Sequence, residues 1–355
     1  MKVQETKGGI KVLVVILILL IILAAALLAI KVVNTQKEKQ EKQNQISSEE
    51  PNLEPEEPEK IEKQIQIYSG NERPIAVMID NHTGAWPQAG LNDAYLVYEI
   101  IVEGGETRLM PIFKEKDLEK IGPVRSARHY FLDYALENDA IYVHFGQSPQ
   151  AGTDIKKYSV SDINGLVESE SDFWRVKDKY APHNVVTNTQ KIMDLAKEKG
   201  YRTISTQSSV LHYVADEVEL DSDIPATRVT IPYCSWNVVE YRYDEVNKRY
   251  IRYSKGEKQK DWETDMDITT KNIIITFAKN STLEDGEDKD RQTLSNIGTL
   301  DGYYITNGKA IRITCEKKSR TEKTIYRDED GNEIQVNDGN TYIQICPIDA
   351  KVVIE

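Results

Sequence analysis

Cysteine is almost absent: Cys234, Cys315 and Cys346 are the only three in 355 residues, and none lies two residues from another. That spacing indicates neither a zinc ribbon nor a disulfide scaffold, and at most one bridge can form. Histidine is nearly as scarce. His82, His129, His144, His183 and His212 contain no HExxH pair, so a metal site would have to be assembled from distant loops such as 80–82 and 182–184. The segment DEDGNE at Asp328 lacks the closing glutamate of a calcium loop. No metal and no cofactor are expected. Basic charge is also in deficit, with a formal net charge of -13, which argues against a nucleic-acid partner and against adhesion through a uniformly basic surface.

Long apolar runs are missing with one exception. Residues 12–30 are unbroken Val, Leu, Ile and Ala between Lys11 and Lys31, enough to cross a bilayer as one helix. No clear small-x-small junction follows, so an uncleaved anchor is expected in place of a removed leader. Lysines flank the run on both sides and barely discriminate its orientation. Because most of the chain follows the run, the expected arrangement is a single-pass cell-membrane protein with residues 1–11 cytoplasmic and the C-terminal bulk extracytoplasmic. Residues 31–66 are mostly Glu, Lys, Gln and Pro, too poor in apolar side chains to repay ordering, and read as a disordered charged stalk; the alternative is a helical continuation of the span through Lys37–Lys42, which Pro51, Pro55 and Pro58 would stop.

The remainder is long enough for two domains. In 67–220, the runs 74–80, 94–102 and 140–145 read as strands and 127–138 and 190–199 as helices, giving an α+β or layered α/β domain. In 221–355, short strands alternate with Asn307-Gly308, Asp330-Gly331 and Asp338-Gly339, which suit tight hairpins, so this domain is expected to be mostly β. Its strands around Ile311 and Ile343 are expected in neighbouring hairpins, bringing Cys315 and Cys346 towards each other.

Ordered motifs carry a resemblance. RPIAVMIDN (73–81), GLNDAYLVYEIIVEGGETR (90–108), IGPVRSARHYF (121–131), HFGQSP (144–149) and APHN (181–184), followed by NGKAIRITCEKK (307–318) and DEDGNEIQVNDGNTYIQICP (328–347), resemble the YerB-like family of two-domain bacterial envelope lipoproteins. The resemblance implies an extracytoplasmic setting and supplies no reaction. Two departures stand out: no lipobox cysteine follows the apolar run, so a transmembrane anchor stands in its place, and Cys315 occupies a position where the family usually has tryptophan.

Ionisable residues gather in the first domain. Alternation places Tyr95, Val97, Glu99 and Ile101 on one strand face, continued by Glu103 if the strand extends that far. Glu99 is then either the partner of an arginine across the sheet or an acid or base with a raised pKa. Gly104-Gly105 permits a bend bringing Thr107 and Arg108 near. Arg125 and Arg128 stand at the expected helix start with Ser126 as N-cap, a ready place for phosphate or carboxylate. Ser148 before Pro149 reads as another N-cap. His144 either packs in the core or projects into a cleft. In the second domain Trp236, Trp262, Tyr241, Tyr243, Tyr250 and Tyr253 either stack on sugars or form ordinary cross-strand pairs.

Three functions follow from these residues. The first is a cell-envelope binding protein gripping an anionic ligand, such as a phosphorylated cell-wall polymer, a lipid-linked phosphate or a peptide carboxylate, through Arg108, Arg125 and Arg128 with Thr107, Ser126, Ser148 and Asn184. The second is a glycan or phosphodiester hydrolase or transferase with Glu99 or Glu103 as base and His144 or His183 as acid. The third is a structural partner in a membrane complex, with the same residues as internal salt bridges.

Overall fold

The computed structural model describes residues 7–48, 63–286 and 289–355. The chain divides into two units, residues 1–62 and 63–355. The described part of the first is one helix, Lys7–Ser48, of which Val15–Gln43 is long and apolar enough to cross a membrane. The helix does not end where the polar segment begins at residue 31. Lys, Glu and Gln are good helix formers, and extending an existing helix costs far less than nucleating one, so 31–48 continues it instead of forming a disordered stalk. Residues 49–62 of the expected stalk lie outside the described residues. Its last residues already belong to the folded unit, where the amides of Gln66 and Ile67 each donate to Asp338 at 2.9 Å.

Residues 63–355 are built on a thirteen-stranded sheet that runs through both halves of the sequence. Strands from the second half, Lys309–Lys317, Gly298–Thr306, Asn272–Thr282 and Thr341–Pro347, lead directly into Leu96–Ile101, Thr107–Phe113, Ile75–Val77 and Ile141–His144 of the first. The join is the parallel pairing of Thr341–Pro347 with Leu96–Ile101, which sets Gln344 opposite Glu99. Every residue of Leu96–Ile101 is buried, because both faces of the sheet are covered. The helix Phe131–Glu137 packs on one face with Tyr98, Ile274 and Ile343. On the other, Val239 and Tyr241 of a six-stranded sheet pack with Val97, Ile273 and Tyr342. The first half is thus mixed α/β and the second mostly β.

Local sequence rules account for several elements. Asn307 and Gly308, with φ of 50° and 75°, form the two-residue turn between Thr306 and Lys309 that the Asn-Gly pair demands. Ser148 caps Pro149–Lys157 by accepting from the amide of Ala151. Cys315 and Cys346 are free and buried. They do not share adjacent hairpins: the strands Gly298–Thr306 and Asn272–Thr282 lie between theirs, and three ladder steps of about 4.8 Å exceed the reach of a disulfide.

Buried ion pairs connect the halves, with the acid from the first and the base from the second. Glu99 meets Arg252 at 2.9 Å with both side chains fully buried, and Glu137 meets Lys317 at 2.6 Å. Arg320 bridges Asp133 and Asp154 and donates to the carbonyl of His129. Burial alone would lower the pKa of Arg252, and the adjacent Glu99 charge more than reverses that.

Removing Arg252 as Met strands a buried carboxylate and is expected to cost about 3–5 kcal/mol, measured by urea denaturation. Hydrogen exchange should report one transition for both halves; two separated transitions would contradict a single cooperative unit. Burial, and then the Arg320 charge, push His129 from 6.5 down to about 4. Protonation therefore favours the unfolded chain: this contribution to stability is complete above about pH 6.5 and is lost as pH falls towards 4. His129→Gln should flatten the dependence of unfolding free energy on pH in that window.

Candidate functional site

The strand Ile79–Asp80 ends in a run of polar residues, and its continuation builds the floor and rim of a charged site. Asn81 is fully buried. Its amide donates to Glu99 at 3.1 Å and to Thr107 at 2.7 Å, while its oxygen accepts from Gln88 at 3.0 Å and from the Trp86 indole at 3.3 Å. Thr107 donates to Glu99 at 2.8 Å, and Gln344 donates to the other carboxylate oxygen at 3.1 Å. Glu99 is therefore saturated by donors and has no exposure. As a general base at an accessible cleft it is excluded by its surroundings; the arginine it pairs with comes from the other sheet.

Above this floor Asp80 holds two groups through one oxygen, Oδ2. His183 Nδ1 approaches it at 2.7 Å and Arg125 Nε at 3.0 Å, the latter an ion pair too oblique for a hydrogen bond. The imidazole of His82 stacks on that of His183, with centroids 4.4 Å apart and planes at 11°.

Glu103 gathers the remaining arginines. The strand stops at Ile101, and the turn Glu103–Gly105, with Gly104 at φ 66°, removes Glu103 from the Glu99 face. It pairs there with Arg128 Nε and lies 3.7 Å from Arg108 Nη2. Burial would raise the Glu103 pKa, but the hydrogen bond from Arg128 and the charges of Arg128 and Arg108 leave it lowered. Burial, and then the neighbouring Arg128, bring buried Arg108 down to about 10, so it stays cationic at neutral pH.

The other expected site residues support this arrangement from behind. The helix begins at Phe131, four residues later than a Ser126 cap requires, and the Ser126 hydroxyl instead donates to the carbonyl of Phe145 at 3.0 Å. Asn184 accepts from Arg175 at 2.7 Å and donates to the carbonyl of Val176 at 3.2 Å, bracing the loop that carries His183. Ser148 serves its helix. His144 is a core residue with no exposure, held by the Gly146 carbonyl at 2.8 Å and Asp162 at 3.2 Å. Among the described residues no group of three or more His, Cys, Asp or Glu is placed to hold a metal ion.

Residues 62–202 match the N-terminal domain, and residues 229–343 the C-terminal domain, of a family described as protein of unknown function (DUF3048). The chain is 32% identical over 278 residues to a protein of Bacillus subtilis (strain 168) described as "Putative lipoprotein YerB", covering 78% of this chain and 81% of that one. The chain belongs to the YerB-like family. The crystal structure of YerB protein from Bacillus subtilis superimposes with a TM-score of 0.71 at 30% identity, over 80% of this chain and 94% of that one. In this member of the family both domains contribute strands to one sheet.

In the sequence, Asp80 stands out only within the loop 80–82 that, with the distant loop 182–184, a metal site would need, because its partners are 45 and 103 positions away; the succession Asp80-Asn81-His82 at a strand end is the signal that points to it as a charged-site residue. Chemically, a carboxylate accepting from His183 Nδ1 fixes the ring proton there and leaves Nε2 with its lone pair, an arrangement suited to proton transfer. Nitrogen NMR of the YerB-like chain should therefore show neutral His183 protonated on Nδ1, and Asp80→Asn should redistribute the tautomers; a neutral ring carrying its proton on Nε2 would contradict the assignment.

Proposed function

We propose that the chain is a single-pass, extracytoplasmic protein of the cell envelope whose folded unit holds an anionic ligand at Arg125, Arg128 and Arg108. The anchor reading is supported by the apolar helix and by a relative described as a lipoprotein. One observation carries the ligand reading: three guanidinium groups share two carboxylates, Glu103 and Asp80. No described residue accepts a hydrogen bond from the Nη atoms of partly exposed Arg125, whose closest ion-pair contact is through Nε. Such planar donors suit phosphate or carboxylate. The ligand sources that fit are a phosphorylated wall polymer, a lipid-linked phosphate and a peptide carboxylate.

A second reading, turnover of the bound group, is favoured by the Asp80–His183 pair. In it His183 is the proton carrier, a role Glu99 cannot take while its oxygens are bonded to Asn81, Thr107, Arg252 and Gln344.

Arg125→Gln should weaken binding of inorganic phosphate by about tenfold or more, the worth of one charge-assisted hydrogen bond, with an unchanged melting temperature. Titration calorimetry and a thermal melt on the full chain in detergent test this. Unchanged phosphate affinity, or a collapse of stability, would overturn the binding reading and favour internal salt bridges. The turnover reading expects His183→Gln to abolish hydrolysis of a phosphodiester while phosphate still binds. The anchor reading expects protease added to cells with permeable walls to release a soluble fragment cut within residues 34–66; protection of the whole chain would reverse the orientation.

A further inference from the structure

Three of the four tryptophans stand in a row beside the arginines, alternating with lysines. The Lys255 ammonium is 5.6 Å from the ring centre of Trp86 and 4.9 Å from that of Trp236. Lys179 and Lys120 lie 4.0 Å and 4.6 Å from the ring centre of Trp262, and Lys179 also donates to the Trp86 carbonyl at 2.7 Å. The order is therefore Trp262, Lys179, Trp86, Lys255, Trp236.

This row joins the arginine cluster at two points. Trp86 donates to Asn81, the neighbour of Asp80. Trp236 faces Gly105, where an added Cβ would come within 3.4 Å of the indole, in the same turn that presents Glu103 to Arg128. Lys255 is tied to that turn as well, through Glu106 at 2.7 Å. Lys120 is paired with Glu263, whereas no described carboxylate lies within ion-pair distance of Lys179.

An exposed or half-exposed indole is costly to leave in water, and a series of them marks a contact surface. The chemistry selects what makes the contact. The ammonium groups repel cations and attract acidic groups, while the flat indole edges and faces accept the apolar C–H surfaces of sugar rings. A membrane surface also attracts tryptophan and lysine, but insertion needs rings that project beyond their polar neighbours. Here Trp86 and Trp262 are half-buried between ammonium groups, and Trp236 alone is exposed, at 48%.

We propose that the row continues the arginine site and that the ligand is a phosphorylated glycan, its phosphate on the arginines and its sugar residues across Trp86, Trp236 and Trp262. The assignment rests on the anion-binding reading and narrows it to a carbohydrate polymer. The probes are inorganic phosphate, glucose 1-phosphate and maltohexaose 1-phosphate, titrated against the full chain in detergent. Affinity should rise with chain length, with the hexamer about tenfold or more above inorganic phosphate. Trp236→Ala and Lys255→Gln should erase that gain and leave inorganic phosphate binding within about twofold of wild type, whereas Arg125→Gln should weaken all three probes. Trp236→Phe, which keeps an aromatic ring, should retain most of the gain and guards against misfolding of the alanine variant.

Equal affinities for inorganic phosphate and the hexamer would overturn the glycan inference and leave the anion site standing. Loss of the arginine effect would instead overturn the underlying reading. In bilayers of brominated phosphatidylglycerol, quenching of wild-type fluorescence that is absent from Trp236→Phe would place that indole in lipid and also overturn the inference.

Discussion

Everything near the site depends on the ion pair between Glu99 and Arg252. Both side chains are fully buried, and taking two such charges out of water costs several kcal/mol each unless their remaining donors and acceptors are satisfied. Glu99 meets that condition, with Asn81 and Thr107 on one oxygen and Arg252 and Gln344 on the other. Arg252 meets it only in part, since Nε and Nη1 have no described protein partner. The guanidinium therefore depends heavily on Glu99, and the six-stranded sheet that carries it is held to one position over the larger sheet. Tyr233 adds to this by donating to the backbone carbonyl of Glu99 at 2.9 Å. A site floor made from residues of both halves thus has a fixed geometry without a disulfide between the sheets.

The sign pattern of the more buried pairs across the interface has its own consequence. Glu99, Glu106, Glu137, Asp133 and Asp154 face Arg252, Lys255, Lys317 and Arg320, with the acids from one half and the bases from the other, while the more exposed Lys120–Glu263 pair runs the opposite way. Displacing one half along the other would set buried charges against apolar side chains, a penalty that selects a single register. This is how two domains separable in sequence share one sheet. The boundary suggested near residues 221–225 coincides with the strand Ile224–Pro225, which pairs with Lys309–Lys317, so even the connecting segment is part of the sheet.

Local features were legible in the sequence, and long-range ones were legible only as chemical types. The Asn307-Gly308 hairpin, the Ser148 cap and the central strands follow from turn chemistry, capping and β-rich composition that act within a few residues. The convergence of Arg108, Arg125 and Arg128 could be anticipated because glycine-bounded turns and strand ends bring their segments close. The partner of Glu99 could not, because a strand pattern says that a carboxylate needs a cation but nothing about which of many it meets 153 residues later. Glu103 shares the Glu99 face only if the strand extends that far, and it does not: the strand ends at Ile101 and Glu103 opens a turn, so the alternation stops before it reaches that residue. Ser126 misled because a capping residue type was present while the backbone between Arg125 and Tyr130 makes bridges and turns in place of a helix.

If the cluster holds an anion, as proposed, the carboxylates among its arginines have a physical reason to be there. Unpaired arginines side by side would repel one another and rotate towards solvent, so a ligand would have to order them on arrival. Glu103 fixes Arg128 and steadies Arg108, and Asp80 fixes Arg125, so the ordering cost is met during folding and the free Nη donors already point from defined positions. The third guanidinium leaves the set with one excess positive charge, before any proton on His82 or His183. In a chain of formal charge -13, that excess would still govern the approach of the proposed anion, because charges more than about 8 Å away are largely screened at physiological ionic strength. Lysine would serve less well in place of these arginines: its three donors diverge from one nitrogen on a flexible stem, whereas a guanidinium held by a carboxylate at Nε keeps its Nη donors in a fixed plane. On the proposed binding reading the carboxylates are therefore part of the binding apparatus, setting both the direction of the arginines and the small residual charge that a phosphate would neutralise.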